Sequence, residues 1–225
     1  MPITETSPHP HVPPHPPVEV IDSRMGAALY NPFVWAGEKL GMARLRRQLL
    51  AGARGAVLEI GAGTGLNLPH YPSGLDELVL VEPGARIGGH IDLDQAPPDA
   101  PVRLERAPAE YLPFEDASFD TVVSTLVLCT VADPQRAVSE VARVLRPDGR
   151  LLFLEHVRAD QGWRRALQRR SVRPWAAFAD GCQCDRETVK TIEAQMRIES
   201  IDRGSWRGMP PIVKPLVWGR AWPVD

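Results

Sequence analysis

Glycines at 61, 63 and 65 follow the apolar run Ala56–Ile60 within AVLEIGAGTGLNLPHYP. A backbone without side-chain bulk at alternate positions lets a ligand lie against it as the chain reverses. Glu59 is the one acid in that run, and a carboxylate is costly to bury unpaired, so its place beside a turn points to electrostatic or hydrogen-bonding work. Glu82 closes a second apolar run, 19 residues beyond Gly63, near the spacing at which an acid accepts hydrogen bonds from a ribose diol. Further along, Glu155 and His156 stand together, and the chain has three cysteines, Cys129, Cys182 and Cys184. His156 could serve as a general base or as a cation beside a thiolate, with a strand-capping structural histidine as the plain alternative. Cys129 reads as a small buried residue near the crevice. Cys182-x-Cys184 has the look of half a zinc site, yet a four-ligand set is not apparent and no metal is expected.

These groups need elements to position them. Ala56–Ile60, Glu77–Val81, Val102–Leu104, Phe119–Ser124 and Arg150–Val157 read as strands. A helix is expected over Pro134–Leu145, with Asp133 as N-cap and proline at its first position, and Pro147-Asp148-Gly149 stops it. Val34–Ala51 reads as one amphipathic helix, Arg186–Met196 as another, and Ile198–Arg203 with Ile212–Trp218 as an antiparallel hairpin on the sheet edge. The alternation predicts an α/β fold: a doubly wound, mostly parallel sheet. In such a sheet ligands sit beyond the carboxyl ends of the strands. Those ends deliver Gly61–Gly65 and Asn67, then Glu82 and Pro83, Ala109 and Glu110, Thr125, Leu126 and Cys129, and lastly Glu155 and His156.

Length and charge bound the rest. The 225 residues suit one domain, and a formal charge of −2 argues against a dedicated nucleic-acid binder. Apolar runs are strand-length, so no transmembrane segment is expected, no secretory signal is evident, and the few cysteines suggest a cytoplasmic setting. Residues 1–18 hold seven of the 23 prolines and His9, His11 and His15, and read as a disordered tail. Residues 19–225 then form a single domain: an N-terminal helical region to 54, a cofactor-binding core over 55–157 and a substrate-shaping region from 158. Trp163–Arg173 carries five arginines beside Trp163, Leu167 and Val172. It reads as a solvated basic helix face, or as a peripheral contact with a membrane surface or anionic substrate.

Two cofactor classes share this arrangement. A nicotinamide dinucleotide prefers G-x-G-x-x-G, whereas here the glycines fall as G-x-G-x-G and Leu66 stands where the third is needed. S-adenosylmethionine needs acceptors for its ammonium and an acid for its ribose, which Glu59, the turn backbone and Glu82 supply. EYLPFEDASFDTVV and VLRPDGRLLFLE resemble the central segment of class I S-adenosylmethionine-dependent methyltransferases. A narrower resemblance, from about Ala56 to Trp222, is to the microsomal alkyl-thiol methyltransferases and their bacterial relatives, carried by GTGLNLPHYP, STLVLCTV, RVLRPDGRLLFLEHV, PWAAFADGCQCDRET and GMPPIVKPLVWGRA. Where those enzymes have an apolar N-terminal anchor, this chain has the Pro/His tail.

The resemblance implies a Rossmann-like seven-stranded sheet, S-adenosyl-L-methionine as cofactor and a small-molecule substrate. By it, Glu59, Gly61, Ala62, Gly63, Gly65 and Asn67 line the methionine side, Glu82 and Pro83 the ribose, and Ala109 and Glu110 the adenine, with Thr125 and Leu126 beside them. Tyr30, Tyr71, Cys129 and Trp175 are candidates for the acceptor side, and His156 for catalysis. The expected reaction is methyl transfer to a thiol or sulfide. An O-, N- or C-methyltransferase acting on a quinone, lipid headgroup or secondary metabolite shares the same core, and a nicotinamide-dependent oxidoreductase or a non-catalytic cofactor-binding module are the readings from other classes.

Overall fold

Ala56–Ile60 is buried at all five positions, as a strand covered on both faces must be. In the computed structural model, which describes Val18 and residues 22–224, it is β1 (Ala56–Ile60), inside the sheet with a strand on either side. The proline-rich segment with His9, His11 and His15 lies outside the described residues, Val18 apart. Next to β1 runs β2 (Glu77–Val81), then β3 (Val102–Glu105), both parallel. On the other side lie β4 (Phe119–Thr125) and β5 (Leu145–His156), again parallel. The last two strands, β6 (Met196–Ser205) and β7 (Pro215–Pro223), form the expected antiparallel hairpin, with β7 seated on β5 and β6 outermost. The described residues thus form a seven-stranded sheet in the order β3-β2-β1-β4-β5-β7-β6.

Alternate strand residues face opposite sides and build two separate cores. Val57, Leu78, Leu80, Val123 and Leu152 pack with Val34, Leu49 and Leu50 of α1 (Arg24–Gly37) and α2 (Ala43–Leu50). Between β2 and β3 there are the short α3 (Ala85–Gly88) and a 3₁₀ turn at Leu93–Gln95, and β1 reaches β2 through a single 3₁₀ turn at Leu68–His70. Leu58, Ile60, Val122 and Phe153 pack on the opposite side, with Ala137, Val138, Val141 and Val144 of α4 (Pro134–Val144). Asp133 caps α4 by accepting from the Gln135 and Arg136 amides, both at 3.0 Å. Among the described residues no helix is long and apolar enough to cross a membrane.

Several boundaries differ from the sequence expectation, among them the last strand, which runs Pro215–Pro223 where 212–218 is expected. The helix expected over 34–51 is two helices joined by a widened turn at Glu38–Met42, because Gly41 takes φ 138°, a value that side chains disfavour. Glu38 and Arg46 staple the bend with an ion pair of 3.1 Å. β5 begins at Leu145, which pairs with Phe119 before Arg146–Gly149 bulge out and Arg150 rejoins opposite Thr121. The basic segment is α5 (Gly162–Phe178), longer than the arginine run. The next helix, α6 (Thr188–Glu193), ends early because Met196 is recruited into the hairpin opposite Pro223.

Gln168, midway along α5, is fully buried. Its carboxamide oxygen accepts from Ala159 N–H at 2.8 Å, and its nitrogen lies 2.8–3.1 Å from the carbonyls of Val157, Cys184 and Ile212.

Candidate active site

A cavity of about 500 Å³ opens beyond the carboxyl ends of β1, β2, β4 and β5, where the parallel topology leaves a crevice. Its first half is built from the turn after β1 and the end of β2. Gly63 has φ 58°, and a side chain there would meet nothing nearer than the Gly61 carbonyl at 4.0 Å, so it would project into free space on the cavity wall. Glu82 holds the turn from below, accepting from Gly63 N–H at 2.9 Å and Gly84 N–H at 2.8 Å. Burial raises its pKa, and those two amides oppose the rise.

Behind the turn lies a buried polar network. Glu59 accepts from Asn67 Nδ2 at 2.9 Å and from the Tyr71 hydroxyl at 2.7 Å. Burial pushes the Glu59 carboxyl up to about 7, only partly offset by Tyr71, Asn67 and Arg46. Arg46 donates to Asn67 Oδ1 at 2.8 Å and Thr125 Oγ1 at 3.2 Å, while its other face pairs with Glu38. A buried acid, beside a bare glycine backbone and a second acid at β2, fits a ligand with a cationic group and a diol. The residues therefore fit S-adenosylmethionine.

The second half of the cavity is aromatic. Phe33 of α1 lies 6.0 Å from Trp175 and 5.6 Å from Phe178 between ring centroids, so α1 and α5 close this end together. Tyr30 joins them, its hydroxyl pushed up to about 12 by burial against the pull of Arg46. At the junction of the halves stand Cys129, His156 and Cys182, with His156 Nε2 at 3.0 Å from Cys182 Sγ. The Cys129 thiol is raised well above its ordinary pKa, first by a hydrogen bond with Cys182 and then by burial.

Of the residues expected from sequence, Glu59, Gly61, Ala62, Gly63, Asn67, Glu82, Pro83, Ala109, Glu110, Thr125 and Leu126 line the cavity, as do Tyr30, Cys129, His156 and Trp175. Gly65 and Tyr71 do not. A side chain at Gly65 would press Leu68 Cδ1 at 3.0 Å, so that glycine serves packing of the turn. Tyr71 turns away to hold Glu59 instead of closing the pocket. Glu110 has one oxygen committed to the Ala132 and Asp133 amides, at 2.8 and 3.2 Å, which ties it to the start of α4. Glu155 faces inward from β5 and accepts from Ser124 Oγ and from the Val127 and Leu128 amides, fixing the loop that presents Cys129. Cys184 points into the core near the Gln168 carbonyl, at 3.9 Å, so Cys182 and Cys184 do not act as a pair. Arg46 was not legible as a site residue: in sequence it is one arginine among Arg44, Arg46 and Arg47 on a helix.

Comparison with known proteins agrees with this geometry. The family model described as a methyltransferase domain matches residues 58–153. Thiol S-methyltransferase TMT1B of Homo sapiens is 38% identical over 177 residues, covering 75% of this chain and 68% of that protein. The same-named protein of Rattus norvegicus is 39% identical over 142 residues, a match spanning 61% of this chain and 57% of the relative. Among solved structures, the N-methyltransferase NodS from Bradyrhizobium japonicum, in complex with S-adenosyl-l-homocysteine, superposes with a TM-score of 0.61 at 16% identity, over 84% of this chain and 87% of that one.

Proposed function

The chain belongs to the S-adenosylmethionine-dependent methyltransferases, in the family of the thiol S-methyltransferases, and from that premise we propose that it methylates the sulfur of a small, largely apolar thiol. The observation that carries the acceptor class is the direct passage from the acidic, glycine-walled half of the cavity into an aromatic half with Cys129, His156 and Cys182 at the junction. S-adenosylmethionine, when bound, supplies a methyl group on a sulfonium, ready for in-line displacement.

The chain's residues have distinct tasks. Glu82 would accept from the ribose hydroxyls while holding the Gly63 turn in shape. Glu59, kept in place by Asn67 and Tyr71, would face the ammonium, and the Ala109-Glu110 backbone would border the adenine. Phe33 and Trp175, both half-buried, would shield the acceptor sulfur from water, so that alignment supplies much of the rate. A thiol of pKa about 8.5 is a few per cent ionised at neutral pH, so only modest help is required to form the nucleophile. Cys129, His156 and Cys182 are placed to give that help.

Exposed Trp163 and Phe178, together with Arg164, Arg165, Arg169 and Arg170, support a peripheral contact of α5 with an anionic surface, and the free cysteines support a cytoplasmic setting. The reaction is tested by incubating the protein with methyl-labelled S-adenosylmethionine and a panel of thiols, phenols, amines and quinones. Label is expected in thioether products; label only in phenol, amine or quinone products overturns the acceptor class.

A further inference from the structure

Cys129, His156 and Cys182 come from three distant parts of the chain: the loop after β4, the end of β5 and the loop after α5. Their ligand atoms nevertheless all lie within 4.8 Å of one another. The convergence is held by contacts outside the cluster. Gln183 N–H donates to the Cys129 carbonyl at 2.8 Å, joining the two cysteine loops directly. Arg186 donates to the Leu128 carbonyl at 2.8 Å, and Glu155 fixes the Val127 and Leu128 amides from the other side. Trp175 Nε1–H donates to Cys182 Sγ at 3.3 Å, the kind of donor that stabilises a metal-bound thiolate.

Two sulfurs and one imidazole are soft to borderline ligands, and tetrahedral sulfur–nitrogen sets select zinc. With bond lengths of about 2.3 Å to sulfur and about 2.0 Å to nitrogen, a tetrahedral centre spaces its ligands roughly 3.5–3.8 Å apart. His156 Nε2 and Cys182 Sγ are already 3.0 Å apart, and closing the widest permitted separation of 4.8 Å to that spacing takes a movement of about an ångström, within reach of side-chain rotation. All three also line the cavity, so a fourth coordination position would face the acceptor. Three protein ligands and one open position is the pattern of a reactive zinc centre, whereas a purely structural one is closed by four.

We propose that Cys129, His156 and Cys182 bind one Zn²⁺ ion, whose open position takes the acceptor sulfur as a thiolate. The inference rests on the thiol reading above and deepens it. The acceptor's S–H bond breaks as its sulfur joins the metal, and the proton leaves to solvent. The sulfur keeps the electron pair and uses it to form the S–CH₃ bond, while the donor's methyl–sulfur bond breaks and its pair stays on the donor sulfur. The thioether product, a poorer ligand than a thiolate, then leaves the metal. His156 is a ligand in this scheme, and no separate base is needed.

The test uses the full chain, reduced, stripped with a chelator and titrated with Co²⁺ as a spectroscopic substitute. A sulfur-to-cobalt charge-transfer band and intense tetrahedral d–d bands are expected at one equivalent, displaced by Zn²⁺ and shifted by an acceptor thiol. Cys129→Ser and Cys182→Ser should each weaken metal binding by about 100-fold or more, Trp175→Phe by about tenfold, and Cys184→Ser not measurably. A thermal shift with S-adenosylhomocysteine certifies that each variant is folded. Absence of the charge-transfer band in the wild-type protein overturns the proposal, as does a band that survives in the Cys129→Ser/Cys182→Ser double variant. Full thiol methylation by the stripped protein also overturns it while leaving the thiol reading intact. A cobalt band lost with those cysteines, in a protein that labels only amines or phenols, supports the metal site and defeats the thiol reading.

Discussion

The two halves of the cavity are made in different ways. The half proposed for the cofactor is shaped by backbone, a bare glycine turn whose amides are held by Glu82, with acids and amides that immediately follow or end buried strands behind it. The acceptor half is side chain, assembled from α1, α5 and the loops at 126–129 and 181–184, which meet only through tertiary packing. A backbone site tolerates little change because nothing can be repacked around it. A side-chain site can be altered residue by residue, which is how one core comes to serve many acceptors.

Substitutions should separate the halves. The largest effect is expected from Gly63→Val, which places a β-branched side chain at φ 58° and fills the cavity wall. S-adenosylhomocysteine affinity should fall by more than about 100-fold by calorimetry, a loss of roughly 3 kcal/mol or more. Tight binding by this variant would show that the ligand lies elsewhere. Arg46→Ala comes next, because it leaves Glu38 and Asn67 without their buried partner. A loss of about 3 kcal/mol in unfolding free energy is expected from denaturant titration. Glu82→Ala removes the acceptor for two amides and should weaken cofactor affinity about 30-fold, near 2 kcal/mol.

Glu59 gives a pH signature. Its folded pKa of about 7 lies above the ordinary 4.5, so the folded protein holds a proton that the unfolded chain has already released. Stability without ligand should therefore fall as pH rises from about 4.5 to 7, by a few kcal/mol at most. Ligand affinity should move the opposite way, since an ammonium prefers the ionised acid. S-adenosylhomocysteine should bind roughly tenfold more tightly at pH 7.5 than at pH 6. A flat profile would mean that Glu59 does not meet the ammonium. The smallest effect expected on the cofactor comes from the other half: Phe33→Leu should change its affinity less than about threefold while raising the KM for an apolar thiol. A comparable loss of cofactor affinity would erase the distinction between the halves.

The same contrast explains what could be read in the sequence. The strands themselves, the glycine turn, Glu82 and the edge hairpin were legible because each depends on local pattern: buried runs, turn residues and the rule that strand ends face the ligand. Arg46 was hidden because helical periodicity does not tell which of several arginines turns inward. The family resemblance points Tyr71 toward the pocket, whereas in the fold its hydroxyl serves Glu59. The C-x-C spacing of Cys182 and Cys184 offers half a zinc set at most, and no further ligand is apparent beside it in sequence. In the fold one faces the cavity and the other the core, and the partners of Cys182 are Cys129 and His156, far away in sequence.

Gln168 has a consequence for how such an enzyme diversifies. One carboxamide meets four backbone groups from the end of β5, the loop after α5 and the stretch leading into β7, so it works as a rivet through the middle of a helix. On either side of the rivet, Trp163 toward one end and Trp175 and Phe178 toward the other can be exchanged while Gln168 keeps the helix fixed to the backbone at 157–159, 184 and 212. New acceptors can be explored by changing the tips of α5, while the strand order and the methyl-donor site beneath it keep their alignment.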